Sequence, residues 1–160
     1  MKRLLLLSGG VLLGAIAGCA PKTQTESADG TNGATAQVIE LTQTGCQFLE
    51  TESKDYKFVT ERKANCEKIN ADTLAERQAG FKPLSLKPGK YIFRVTNQNV
   101  PYDLGFYLRG DGEGKGRLPK VSGGGLKQGV TKDYEITLKP GKYVFSCPLN
   151  PTPDYPVVVQ

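Results

Sequence analysis

From residue 37 to residue 160, apolar side chains return at every second position, and this alternation limits the fold more than any other feature of the chain. Ile39 and Leu41, Tyr56 and Phe58, then Tyr91, Phe93 and Val95 each stand between polar neighbours. So do Tyr134, Ile136 and Leu138, then Tyr143, Phe145 and Cys147, and finally Val157 and Val159. A period of two sends successive side chains to opposite faces of a strand. Turn residues break the pattern at the intervals of a sandwich, so the segment predicts an antiparallel, mostly all-β fold of two packed sheets.

Two stretches depart from the alternation. Within residues 55–80, an insertion, Asp72 is placed to cap a short helix through Leu74, Ala75, Glu76 and Arg77 that Gly80 ends. Between Gly105 and Gly129 there are nine glycines in 25 residues, including Gly123, Gly124 and Gly125. The run Gly110, Gly112, Gly114, Lys115, Gly116 fails the phosphate-loop pattern, because Gly116 stands where Ser or Thr is needed and no helix pattern follows. This stretch reads as a mobile loop. An internal echo links two strands: Leu86-Lys87-Pro88-Gly89-Lys90-Tyr91-Ile92-Phe93 recurs as Leu138-Lys139-Pro140-Gly141-Lys142-Tyr143-Val144-Phe145. In each copy a Pro-Gly turn leads into a half-buried strand.

Ahead of this domain, Lys2 and Arg3 precede an apolar run from Leu4 to Ala17, too short to span a bilayer comfortably, that closes in small residues. Residues 1–18 read as an export signal. The junction Ile16-Ala17-Gly18-Cys19 resembles the lipobox of bacterial lipoproteins, which implies cleavage before Cys19 and acylation of that residue on sulfur and amine. Each buried CH₂ of such chains is worth about 0.8 kcal/mol, so the protein is expected to sit at a membrane surface. Ala20, in place of Asp, implies outer-membrane retention if the cell has two membranes. Residues 19–36 contain no large apolar side chain beyond the anchor and read as a flexible tether.

Composition removes several chemistries. The chain has no His, which excludes Ser-His and Cys-His catalysis, His-ligated zinc and His-held haem. Loss of Lys2 and Arg3 with the signal takes the formal charge from +5 to +3. The basic residues are scattered along the chain among acidic ones, with no basic stripe interleaved with aromatics, so nucleic acid is not an expected partner. Glu50 and Glu52, read as alternating on a strand, do not make a general acid and base, and Cys147 has no evident base beside it. No enzymatic activity is expected.

The run Pro140-Gly141-Lys142-Tyr143-Val144-Phe145-Ser146-Cys147, ending in Val157-Val158-Val159, resembles the closing strands of cupredoxins. It is similar, too, to the cupredoxin-like domain of periplasmic iron-uptake proteins, whose first strand runs into a Cys as residues 37–46 do here. The resemblance covers residues 37–160 and implies a Greek-key β-sandwich of cupredoxin type with a partly helical insertion. It implies a copper site as well: Cys147 keeps the thiolate, but Asn150 and Tyr155 fall at the loop His and axial Met, and Tyr102 at the upstream His. One thiolate with an amide and two phenols does not make a trigonal blue-copper centre. Tyr102, Asn150 and Tyr155 are expected instead to fill the cavity with hydrogen bonds. The iron-uptake likeness offers an alternative, copper or iron held by Cys46, Cys147 and Asp103.

With Cys19 acylated, three cysteines remain in an oxidising setting. A Cys46–Cys66 bridge would pin the insertion to the first strand and leave Cys147 free; a Cys46–Cys147 bridge would tie strand ends and exclude the thiolate site. The first is preferred. The reading is an exported, lipid-anchored protein of the cell envelope without a cofactor, a binding or structural accessory subunit of a membrane or envelope complex. The loop from Pro148 to Tyr155, with four prolines in nine positions counting Pro156, is the expected docking face, to be tested by substituting Tyr155 and Pro153 together. The alternative is a metal-binding or electron-transfer lipoprotein.

Overall fold

The computed structural model describes residues 35–160; the signal, Cys19 and the tether as far as residue 34 lie outside them. Nine strands form two sheets among the described residues: β1 (Gln37–Thr44), β2 (Gln47–Phe48), β3 (Leu84–Leu86), β4 (Gly89–Asn97), β5 (Leu104–Gly110), β6 (Val121–Leu126), β7 (Thr131–Leu138), β8 (Gly141–Ser146) and β9 (Tyr155–Val159). The first sheet has the order β2-β1-β4-β7 and the second β3-β9-β8-β5-β6. The fold is an all-β sandwich. The described residues belong to one compact unit that holds, among them, a continuous hydrophobic core and a disulfide, so a segment carrying them has the core and cross-link that a domain needs to fold.

The alternation is realised as burial. In β4, Tyr91, Phe93 and Val95 are buried while Ile92, Arg94 and Thr96 between them are not; in β7, Tyr134, Ile136 and Leu138 are buried while Asp133, Glu135 and Thr137 are exposed. The inner faces meet in an aromatic layer. Phe106 lies 5.6 Å from Phe93 and 5.8 Å from Phe145, and Phe48 meets Phe145 edge-on at 5.0 Å, all as centroid distances. Each such ring removes about 1.5–3 kcal/mol worth of apolar surface from water.

Four expectations are corrected. The sheets are mixed, not purely antiparallel: β1 runs parallel to β4 and β3 parallel to β9. Tyr56 and Phe58 are not in a strand; they stack on each other at 5.4 Å and against the guanidinium of Arg77. The insertion, residues 49–83 between β2 and β3, holds two helices, α1 (Leu49–Glu52) and α2 (Lys63–Gln78). Asp72 is therefore mid-helix, 3.5 Å from Lys68, and the start of α2 is held instead by Asn65, whose Oδ1 accepts the Arg62 N–H at 3.0 Å and the Glu61 N–H at 3.1 Å. Its interior faces bury only Cys66 and Arg77, so no apolar stripe announced it. Glu50 and Glu52 likewise belong to α1.

The glycine-rich stretch is not one loop: β5 and β6 enter it from either side and pair with each other, joined by a connection that holds a 3-10 turn at Gly112–Gly114. Glycine is used there for close approach. A Cβ on Gly105 would stand 2.7 Å from the Gly123 carbonyl oxygen, and one on Gly123 would stand 2.9 Å from the Tyr134 ring.

Strand register gives the sandwich two distinct ends. At one, Gln37 lies beside Tyr91, Gly89 beside Leu138, Gly141 beside Val159 and Gly110 beside Tyr143. The chain arrives from residue 36 at this near end. At the far end, Gln43 lies beside Asn97, Leu104 beside Leu126 and Phe145 beside Tyr155.

Candidate functional site

The residues singled out in the sequence gather at the far end because β1, β5, β8 and β9 all begin or finish there. Cys46, just past β1, is bonded to Cys66 in the second turn of α2. Asn150, in the turn between β8 and β9, is fully buried and acts as a clamp. Its amide donates to the Thr44 carbonyl at 2.9 Å, and its Oδ1 accepts the Tyr102 hydroxyl at 2.9 Å and the Cys46 N–H at 3.4 Å. Cys66 Sγ is 3.1 Å from the same oxygen; an oxidised sulfur has no hydrogen to donate, so this is a sulfur–oxygen contact. One side chain thus ties the β8–β9 turn to β1, to the disulfide and to the β4–β5 turn.

Among the described residues Cys147 is the free thiol. It is fully buried, and its sulfur accepts the Gly105 N–H at 3.3 Å. Gly105 in turn accepts from Gln43 Nε2 at 2.8 Å through its carbonyl. Burial pushes the thiol upward, against the opposing pull of backbone N–H groups from Gly105, Asn150 and Leu149. A thiol held protonated is a poor nucleophile. Burial raises Tyr102 as well, so its phenol is a donor and not a phenolate.

Tyr155 belongs to a second cluster. Its hydroxyl donates to Glu52 and accepts the Phe48 N–H at 3.3 Å. Glu52 forms a two-pronged pair with Arg77, Nε to Oε2 at 2.9 Å and Nη2 to Oε1 at 2.5 Å, and both side chains are 1% exposed. Arg77 also donates to the Cys46 carbonyl at 3.2 Å and to Asn70 at 2.8 Å. Burial, followed by the charge and hydrogen bond of Glu52, drives the Tyr155 phenol well above its ordinary range. Glu52 and Arg77 were not marked as a pair by the sequence; 25 residues of insertion separate them.

The donors do not fit copper. Cys147 offers one sulfur, the Asn150 amide and the Tyr102 hydroxyl are spent on each other and on backbone, and Tyr155 is spent on Glu52. The alternative trio is not brought together either. Cys46 sulfur is consumed by Cys66, Asp103 is exposed, and no group of three or more Cys, Asp or Glu among the described residues is arranged to hold a metal ion. The expected docking residues need correction as well. Tyr155 and Pro153 are buried, Tyr155 with its hydroxyl turned to Glu52, while Pro148 and Leu149 are exposed.

No protein-family model and no curated relative matches the chain. Among solved structures, that of auracyanin B is similar over 78% of this chain and 89% of its own, with 14% identity and a TM-score of 0.48.

Proposed function

We propose that the chain is an exported, lipid-anchored, cupredoxin-like binding module, without blue copper and without catalysis, that serves as an accessory subunit of an envelope complex. The lipid anchor rests on the Cys19 junction, and the cupredoxin kinship on the run into Cys147. The observation that carries the binding role is the asymmetry of the two ends. Of the exposed large apolar side chains among the described residues, Val59 (85%), Leu149 (46%) and Val130 (36%) stand on far-end loops, and Val38 lies on β1 near the other end. Val59 and Pro101 border one recess and Leu149 and Pro148 another. Apolar groups fixed in rigid loops and rimmed by polar ones are the usual substance of a protein interface.

The test is in-cell cross-linking of the full lipoprotein, comparing wild type with a Val59→Ser, Leu149→Ser double variant. A specific adduct lost in the double variant, with the disulfide and circular dichroism unchanged, supports the reading; an adduct pattern identical in both sinks it. Copper is tested separately. Added Cu(II) should give no intense visible sulfur-to-copper band, and a band that Cys147→Ala abolishes would overturn the copper-free reading.

A further inference from the structure

The basic residues that look dispersed in sequence are collected by the topology. The two echoed Lys-Pro-Gly-Lys turns lead into β4 and β8, and register sets them at the same end: Gly89 faces Leu138 and Gly141 faces Val159. They bring Lys87, Lys90, Lys139 and Lys142 to the near end. The β5–β6 connection arrives there too, since Asp111 N–H bonds the Lys142 carbonyl, and adds Lys115, Arg117 and Lys120. All seven side chains are exposed, and none forms an ion pair with a described residue. The acids in these turns are Asp111 and Glu113; Glu135 stands on the flank beside Lys90.

We infer that this near end is a docking surface for an anionic lipid bilayer. A net positive charge on a single end seeks an anionic surface, and the proposed tether keeps a membrane within reach. Residue 36 leads into β1 beside Lys90. Between Cys19 and Gln37 the chain can span at most about 60 Å, more than the roughly 27 Å length of an eight-residue strand. A leash of that reach permits either end to face the membrane, so the charge decides. Lys and Arg near an anionic leaflet each gain about fivefold in partitioning. The near end then lies on the headgroups and the apolar far end is presented outward. The inference takes its setting from the proposed lipid anchor, but the contact itself does not use Cys19.

Residues 33–160 are tested by co-sedimentation with vesicles of phosphatidylcholine containing phosphatidylglycerol and with phosphatidylcholine alone, at low salt. The expected result is binding to the anionic vesicles only, weakening as salt shortens the screening length toward about 10 Å and below. Lys87→Gln, Lys139→Gln, Lys142→Gln together should lower partitioning on the order of a hundredfold. Lys63→Gln, Lys68→Gln, Lys127→Gln, the same change in net charge placed elsewhere, should leave it within a few-fold. The inference is overturned by equal binding to both vesicles, by equal loss in the two triple variants, or by competition from inorganic phosphate, which would mean a small-anion site. Tighter binding of single-stranded nucleic acid or of an acidic polypeptide than of vesicles overturns it too. Mass spectrometry of Cys19 separates the two readings: an unmodified Cys19 removes the anchor and leaves this contact standing, whereas an acylated Cys19 with no vesicle binding by residues 33–160 removes the contact alone.

Discussion

Arg77→Met is expected to destabilise the protein by about 3–5 kcal/mol, a large part of the roughly 5–15 kcal/mol that holds a domain together. The magnitude follows from what is stranded. Glu52 is 1% exposed and takes two guanidinium bonds, at 2.9 and 2.5 Å; without Arg77 its charge stays out of water with Tyr155 as remaining donor. Asn70 Oδ1 and the Cys46 carbonyl lose partners as well, and the Tyr56 and Phe58 rings lose a cation 5.4 and 5.0 Å from their centroids. Glu52→Gln strands the guanidinium in the same way. The double variant removes both charges, leaves Tyr155 an amide oxygen to bond, and should cost far less than the sum, with a coupling of at least about 2 kcal/mol. Urea unfolding under oxidising conditions reads these values. Because α2 buries only Cys66 and Arg77, hydrogen exchange over residues 63–78 should rise before the sheets open. An Arg77→Met cost below about 1 kcal/mol, or strict additivity in the double variant, would refute the assignment of this pair as the insertion's main polar anchor.

Reduction of Cys46–Cys66, which closes a separation of 20 residues, should lower stability by about 3 kcal/mol in the chain-entropy account; an unchanged urea midpoint in reductant would count against it. Gly105→Ala should cost about 1–3 kcal/mol, because the new methyl meets backbone at the Gly123 oxygen. Gly123→Ala should cost less, since the Tyr134 ring can swing aside, and the reverse ranking would contradict the packing of β5 on β6. Stability should also fall in alkali. Cys147 and Tyr155 are both raised by burial, so the unfolded chain releases their protons first; their stabilising contribution is complete below about pH 8.5 for the thiol and about pH 10 for the phenol, and declines as pH climbs past those values. Cys147→Ala should flatten the lower part of that decline and Tyr155→Phe the upper part, as read by urea titrations across pH.

The sheets were readable where one face of a strand is buried and the other wet. Tyr91-Ile92-Phe93-Arg94-Val95 carries its own orientation, and so does Tyr134 through Leu138, because a one-residue slip would turn arginine and glutamate inward. What the period cannot convey is which strands meet. The parallel neighbour of β1 is β4, with Gln37 beside Tyr91 and Gln43 beside Asn97, and no local pattern distinguishes it from an antiparallel one. Of helix α2 only the closing stretch through Leu74–Arg77 was legible; its start at Lys63 was hidden for the opposite reason, since that part is held by Cys66 and by the Asn70 bond to the Pro151 carbonyl, neither of which makes a periodic signal. Glycines 123, 124 and 125 looked like loop because a strand pressed against a tyrosine ring has the composition of one that bends freely.

At the far end, a residue's place in the sequence told which turn it would reach but not which partner it would choose. Tyr102, Cys147 and Asn150 arrive together because β5 starts where β8 stops, a matter of topology that the alternation does not carry and that only the resemblance in the run into Cys147 implied. Tyr155 arrives there too and yet turns to Glu52, since a buried carboxylate exerts a stronger pull on a phenol than a neutral amide already holding a hydroxyl. The lysines show the same logic at the near end. Lys87 and Lys139 lie 52 positions apart, and nothing in the spacing makes them one patch until antiparallel pairing folds Gly89 against Leu138. Charge that is evenly distributed along a β chain is therefore not evenly distributed over its sandwich: turns alternate between the two ends, and a lysine placed at every second turn accumulates on one of them.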